Sequence, residues 1–197
     1  MYNATVAVRY EEELPTSKSA LGPYREGDYW RLPDDPRCEL LYGWLVLTPA
    51  PSLRHQRVLA ALNDLLRRFA AEHGGEALFS PLDVRLADHS IVQPDLIYVS
   101  PARRDVLRER VHGAPDLVVE ALSPSTARRD LGPKLRLYAE SGVAEYWIVD
   151  PANWTFELLV ADAGSFRVAL PVDGVYRSPA VEGLAIDLEA FWRGIPE

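Results

Sequence analysis

The chain has 197 residues, and 48% of them are apolar, which is enough for a substantial core. A net charge of −8 excludes a protein that coats nucleic acid through a broadly basic surface, but it leaves room for an acidic metal site with local basic contacts. One cysteine, Cys38, excludes an intramolecular disulfide; a polar start and the lack of an apolar run of about 18 residues predict a cytoplasmic, unexported protein with no membrane partner.

Residues 1–23, with Glu11, Glu12, Glu13 and Pro15, are expected to form an N-terminal arm, and residues 24–197 a single domain. A short helix is predicted over 24–32, ended by Pro33. Residues 38–47 read as strand, turn at Gly43 and strand, stopped by Pro49 and Pro51. Ser52 is placed to cap a helix over 53–73, where Val58, Leu62, Leu65, Leu66 and Phe69 recur at helical spacing before His73-Gly74-Gly75. Leu82–Leu86 alternates as a half-solvated strand. Asp88-His89-Ser90 then turns the chain into a second strand, Ile91–Val99, to form a hairpin. Residues 101–112 are basic and suit a short helix. Asp116–Leu122 is continuously apolar, as in a strand covered on both faces. A helix over 130–141 carries Pro133 near its start and ends at Gly142; the strand Glu145–Asp150 completes a parallel crossover. A hairpin over 154–170 turns at Ala163-Gly164, and the tail mixes a strand with a helical end. The sum is an α/β fold.

Two acids break the apolar pattern: Asp95 within Ile91–Val99, and Glu120 within Asp116–Leu122. A lone buried carboxylate is costly to desolvate, so two on neighbouring strands suggest a shared cation. Mg²⁺ takes oxygen ligands and keeps several waters, so two carboxylates and a carbonyl suffice. Lys134 follows on the next helix, with Tyr138 one turn on along the same face. Such a trio fits phosphodiester hydrolysis. The bland alternatives are a satisfied strand-end Asp95, a Glu120 paired with Arg129, and a surface Lys134. Glu39 and Asp83 read as solvated strand faces. Gln93 is a weak pocket candidate, Ser123 a turn residue, Glu145 and Asp150 structural, and Tyr146 and Trp147 core. The arginine-rich stretches 54–68, 103–110 and 128–136 read as solvated surface.

Pro94-Asp95 followed by Glu120-Ala121-Leu122 resembles the PD-(D/E)XK nuclease signature. The wider order is similar to the Uma2-like (DUF820) restriction-endonuclease family. It runs through Tyr42-Gly43, Pro51-Ser52-Leu53-Arg54-His55, Val92–Leu96, Ala114–Thr126, Asp130, Lys134, Tyr138 and Gly142–Pro151. The resemblance covers roughly residues 24–170. It implies a restriction-endonuclease-like core: a mixed central sheet flanked by helices, with extra antiparallel hairpins. It also implies a Mg²⁺-dependent (or Mn²⁺-dependent) DNA endonuclease in which Asp95 and Glu120 are the metal ligands. Leu122 fills the usual lysine slot, and Lys134 is then the substitute. His55 matches a family position and is a further catalytic candidate. DNA is the implied substrate, and a homodimer the expected assembly, with Trp154, Trp192 and the 154–170 hairpin as contact candidates. The competing readings are a non-catalytic nucleic-acid- or protein-binding module, and a phosphoesterase acting on RNA or a small ester.

Overall fold

A computed structural model describes residues 20–196; the arm expected over 1–23 falls almost wholly outside them. Two mixed sheets organise the chain. The first has the order β2-β1-β5-β4-β7, from β1 (Cys38–Leu41), β2 (Trp44–Leu47), β4 (Val84–Ala87), β5 (Ser90–Val92) and β7 (Val111–His112). The second has the order β11-β10-β9-β8-β6-β3, from β3 (Glu76–Phe79), β6 (Leu96–Val99), β8 (Leu117–Ala121), β9 (Glu145–Asp150), β10 (Thr155–Asp162) and β11 (Ser165–Val168). Within it β8 and β9 run parallel and the other neighbours antiparallel, as the predicted crossover requires. A small pair, β12 (Val175–Arg177) and β13 (Ala185–Asp187), leads into a final helix, α5 (Leu188–Arg193).

The helices follow the sequence with one exception of consequence. The short α1 spans Glu26–Tyr29 and α2 spans Leu53–His73. The Ser52 hydroxyl accepts from the His55 N–H at 3.2 Å, and Gly74 leaves the helix with a φ of +81°, as the cap reading predicts. The helix predicted over 130–141 starts earlier, at α3 (Ala127–Arg129). It widens into a π turn over Asp130–Lys134 and resumes as α4 (Leu135–Ser141). Pro133 sits inside that π turn; it has no N–H to donate, so the ordinary ladder is interrupted there.

Two further departures matter. The run 91–99 is not one strand: β5 ends at Val92 and β6 begins at Leu96, so Gln93-Pro94-Asp95 carries the chain from one sheet to the other. Pro94 cannot contribute to a ladder, which is the physical reason for the break. The hairpin is therefore β4 with β5, and Asp95 lies at a corner, not in a strand interior. Strand β3 has no counterpart among the predicted elements. It pairs with β6 at the sheet edge, and the basic stretch after β6 is a 3₁₀ turn (Pro101–Val106).

Alternation along β8 and β9 sorts the core into two layers. Leu117, Val119 and Ala121, with Trp147 and Val149, pack toward Val58, Leu62, Leu66 and Phe69 of α2. Val118, Tyr146 and Ile148 face the other way, with Leu137 and Tyr138 of α4 and Val84 and Val92 of the first sheet. Glu120, two residues from Val118, shares that second face. Among the described residues no helix is long and apolar enough to cross a membrane.

Candidate active site

A cleft of about 410 Å³ lies where the two sheets, the start of α2 and the π turn meet. Its walls include all four residues singled out in the sequence, His55, Asp95, Glu120 and Lys134, together with Glu39, Arg129 and Asp130. They come from different elements: β1, the first turn of α2, the corner before β6, the end of β8, and the helix after it.

Asp95 is tied directly to the strand that carries Glu120. Its Oδ2 accepts from the Ala121 N–H at 2.8 Å, and Oδ1 lies 3.5 Å from His55 Nε2. His55 is buried, and its Nδ1 has no hydrogen-bond partner. Glu120 is 3% exposed. Its Oε1 accepts from Lys134 Nζ at 2.7 Å and from the Tyr138 hydroxyl at 2.6 Å. Residues 134 and 138 stand one turn apart, so both reach one oxygen. Both bonds fall on Oε1; among the described residues none is recorded to Oε2.

Lys134 is not a surface lysine but one of the most deeply buried side chains, at 1% exposure. Besides Glu120, its ammonium lies 2.9 Å from Glu39 Oε1 and 3.7 Å from Asp130 Oδ1. The solvated face expected for Glu39 is overturned, because that residue is buried under a three-sided set of partners. Lys134 and the Gln93 N–H (2.6 Å) donate to Oε1, and Arg129 lies 3.4 Å from Oε2 as an ion pair without a hydrogen bond. Arg129 is likewise buried, contrary to the surface reading of its stretch, and also donates to the Leu47 carbonyl at 3.2 Å. The alternative pairing of Glu120 with Arg129 is replaced by pairing with Lys134. Asp83, also expected on a solvated face, is half-buried and accepts from the Tyr29 hydroxyl and from Gln93. The signal for Glu39 was the one used for Glu120: an acid flanked by apolar residues, here Cys38, Leu40 and Leu41.

The charges do not balance. Glu39, Asp95, Glu120 and Asp130 face only Lys134 and Arg129 among the cations already engaged in the cleft. Burial raises the Glu120 carboxyl to about 8, against the opposing pull of Lys134; Asp130, Asp95 and Glu39 push it the same way as burial. Burial alone would discharge Lys134, but Glu120, Glu39 and Asp130 outweigh it and hold the ammonium charged. Glu39 is drawn below the usual carboxylate range by Lys134 and Arg129, which overcome its burial. Asp130 is pushed up by burial, and its Oδ1 is buried with no hydrogen bond.

Other expectations land as follows. Glu145 is a buried structural acceptor for Trp147 Nε1 (2.6 Å) and the Tyr176 hydroxyl (2.5 Å), with Ser178 donating to its second oxygen. Tyr146 and Trp147 are core. Ser123 bonds Ser125 and Thr126 in the turn and also lines the cleft. Trp154 and Trp192 pack against each other at 5.5 Å, and Arg54 stacks on Trp154.

The class that the fold defines is the restriction-endonuclease-like α/β proteins. A family model described as "Uma2: Putative restriction endonuclease" matches residues 27–189, and the chain belongs to that family. It is similar in fold to a crystal structure described as "a putative nuclease belonging to DUF820 from Anabaena variabilis ATCC 29413", with a TM-score of 0.72 and 18% identity, covering 87% of this chain and 98% of that one. A comparison with curated proteins finds no match.

Proposed function

We propose that the protein is a Mg²⁺-dependent (or Mn²⁺-dependent) DNA endonuclease and that Asp95, Glu120, Lys134 and His55 do its chemistry. The observation that carries this reading is convergence: four residues from separate elements meet in one acid-rich cleft. The donor chemistry fits a hard divalent cation. Asp95 and Glu120 supply carboxylate oxygens, and a bound cation would favour the ionised form of Glu120 that burial disfavours. Among the described residues no three His, Cys, Asp or Glu side chains are grouped as a metal site, so a cation held by Asp95 and Glu120 would need backbone, water or substrate oxygens to complete its shell. When bound there, such an ion polarises a phosphate and makes a bound water acidic.

The chain's own groups have distinct tasks. Tyr138 and Lys134 fix Glu120 through Oε1 and leave Oε2 as its free lone-pair donor. The Ala121 N–H and His55 orient Asp95. Lys134 stays an ammonium, so it serves as a fixed positive charge beside the reacting phosphate and not as a proton acceptor. A cut through both strands needs two such sites, which a symmetric homodimer provides.

The test is incubation of the full chain with supercoiled plasmid, linear DNA and RNA, with Mg²⁺, Mn²⁺ or chelator. Metal-dependent nicking of DNA that disappears in Asp95→Asn supports the reading. Salt-sensitive binding without cleavage supports a non-catalytic module instead.

A further inference from the structure

Beside the acid-lined cleft lies a second cavity of about 340 Å³. The two share Arg37, Pro81 and Gln93 as wall residues, so they form adjoining chambers of one groove. The second chamber has a different chemistry. The Arg110 guanidinium lies 4.2 Å over the ring of Trp30, a flat cationic and aromatic stack. Asp83 Oδ1 accepts from the Tyr29 hydroxyl at 2.8 Å and from Gln93 Nε2 at 3.0 Å. That bond orients the Gln93 amide and leaves its Oε1 buried without a hydrogen-bond partner. An unmet buried acceptor is costly, and a donor that reaches it at the wall common to both chambers removes the cost. At the shared wall, Arg37 is exposed, and no ion pair or hydrogen bond of its guanidinium is recorded among the described residues, whereas Arg129 and Lys134 are committed to carboxylates.

We propose that this second chamber is a nucleobase subsite, and that Arg37 grips the phosphate linking its nucleotide to the one at the acids. The inference rests on the nuclease reading and names the substrate class within it. A flat stack suits a base, and the unmet Gln93 amide oxygen suits the exocyclic amino group of cytosine, adenine or guanine, whereas Asp83 is engaged by Tyr29, Gln93 and, at 4.0 Å, Arg110. A base seated there has left its helical stack, which is easiest for a nucleotide that has no pairing partner. The preferred substrate is therefore DNA with an unpaired nucleotide: a bulge, a gap or a single-stranded segment.

The experiment measures binding of the full chain, in chelator, to a duplex carrying a bulged 2-aminopurine and to its fully paired counterpart, over a salt series. The bulged duplex binds about tenfold tighter; Trp30→Ala removes that preference, and Trp30→Phe, which keeps a ring, retains most of it. Arg37→Gln weakens both duplexes about tenfold and lowers the salt slope by about one. Equal affinity for the two duplexes, or a preference that survives Trp30→Ala, overturns the subsite. Metal-dependent cleavage with no preference for the bulge removes the subsite and leaves the nuclease reading standing. Trp30-dependent bulge binding with no metal-dependent cleavage does the reverse.

Discussion

Replacing Lys134 with Met tests the buried cluster directly. The ammonium lies 2.7 Å from Glu120, 2.9 Å from Glu39 and 3.7 Å from Asp130, at 1% exposure. At an effective dielectric of about 20, each of the two short contacts is worth roughly 6 kcal/mol of attraction when its carboxyl is ionised, which for Glu120 holds above about pH 8. The several kcal/mol needed to desolvate the ammonium offsets much of that, so the net loss is about 3–5 kcal/mol, as for other buried pairs broken on one side. In the variant Glu39 and Asp130 keep Arg129 and Glu120 keeps the Tyr138 hydroxyl, and the folded-state pKa values of the three carboxyls rise above the unfolded ones. The folded protein then binds more protons than the unfolded chain, so stability falls as pH rises through that window. Urea unfolding followed by the fluorescence of buried Trp147 is therefore expected to show a larger loss at pH 8 than at pH 5. Adding Glu120→Gln to Lys134→Met removes one unpaired charge and recovers roughly half the loss. A loss below about 1 kcal/mol at both pH values, or no recovery in the double variant, would refute the claim that the lysine balances these acids.

The remaining expectations are narrower. Asp95→Asn keeps an oxygen for the Ala121 N–H, so it costs under about 1 kcal/mol in stability yet lowers cleavage by roughly 10³-fold, measured by plasmid nicking. Mn²⁺ at about 100 times its dissociation constant stabilises the wild type by about 2.7 kcal/mol in a thermal-shift assay, and Asp95→Asn abolishes the gain. In metal-free protein, Glu120 titrates near 8 when folded and near 4.5 when unfolded. The folded state holds the extra proton between these values, so stability is highest below the lower one and falls toward the upper at about 1.4 kcal/mol per pH unit; Glu120→Gln flattens the slope. A wild-type curve without that slope would show that Glu120 is ionised throughout.

The parts of the molecule that were legible are those fixed by local chemistry. Ser52, the apolar ladder from Val58 to Phe69 and Gly74 specify α2 within one stretch of chain. The spacing of Lys134 and Tyr138 already placed both groups on one face, and the structure brings both to Glu120. Glu39 was misread because its burial depends on Arg129 and Lys134, some ninety residues away. An acid on an edge-like strand looks solvated until its partners are known. The corner at Pro94 was hidden for a related reason: apolar residues on both sides of it belong to different sheets, and periodicity alone does not mark where a chain changes sheet. The π turn was equally invisible, since Pro133 lies close enough to the predicted helix start to look like an ordinary first-turn proline.

That widened turn also sets a rotational phase. Each residue of an α-helix advances the side chains by about 100°, and the extra residue held over Asp130–Lys134 shifts everything after it relative to everything before. Deleting Leu131 would let the segment wind regularly, and Lys134 and Tyr138 would then turn by about 100° relative to Arg129 and the rest of α3. The cleft would keep Glu39, Asp95 and Glu120, which the sheets and the corner between them carry, but its amine would swing away from them. One residue of slack in a helix thus acts as the timing mark that aligns two independently built halves of the site.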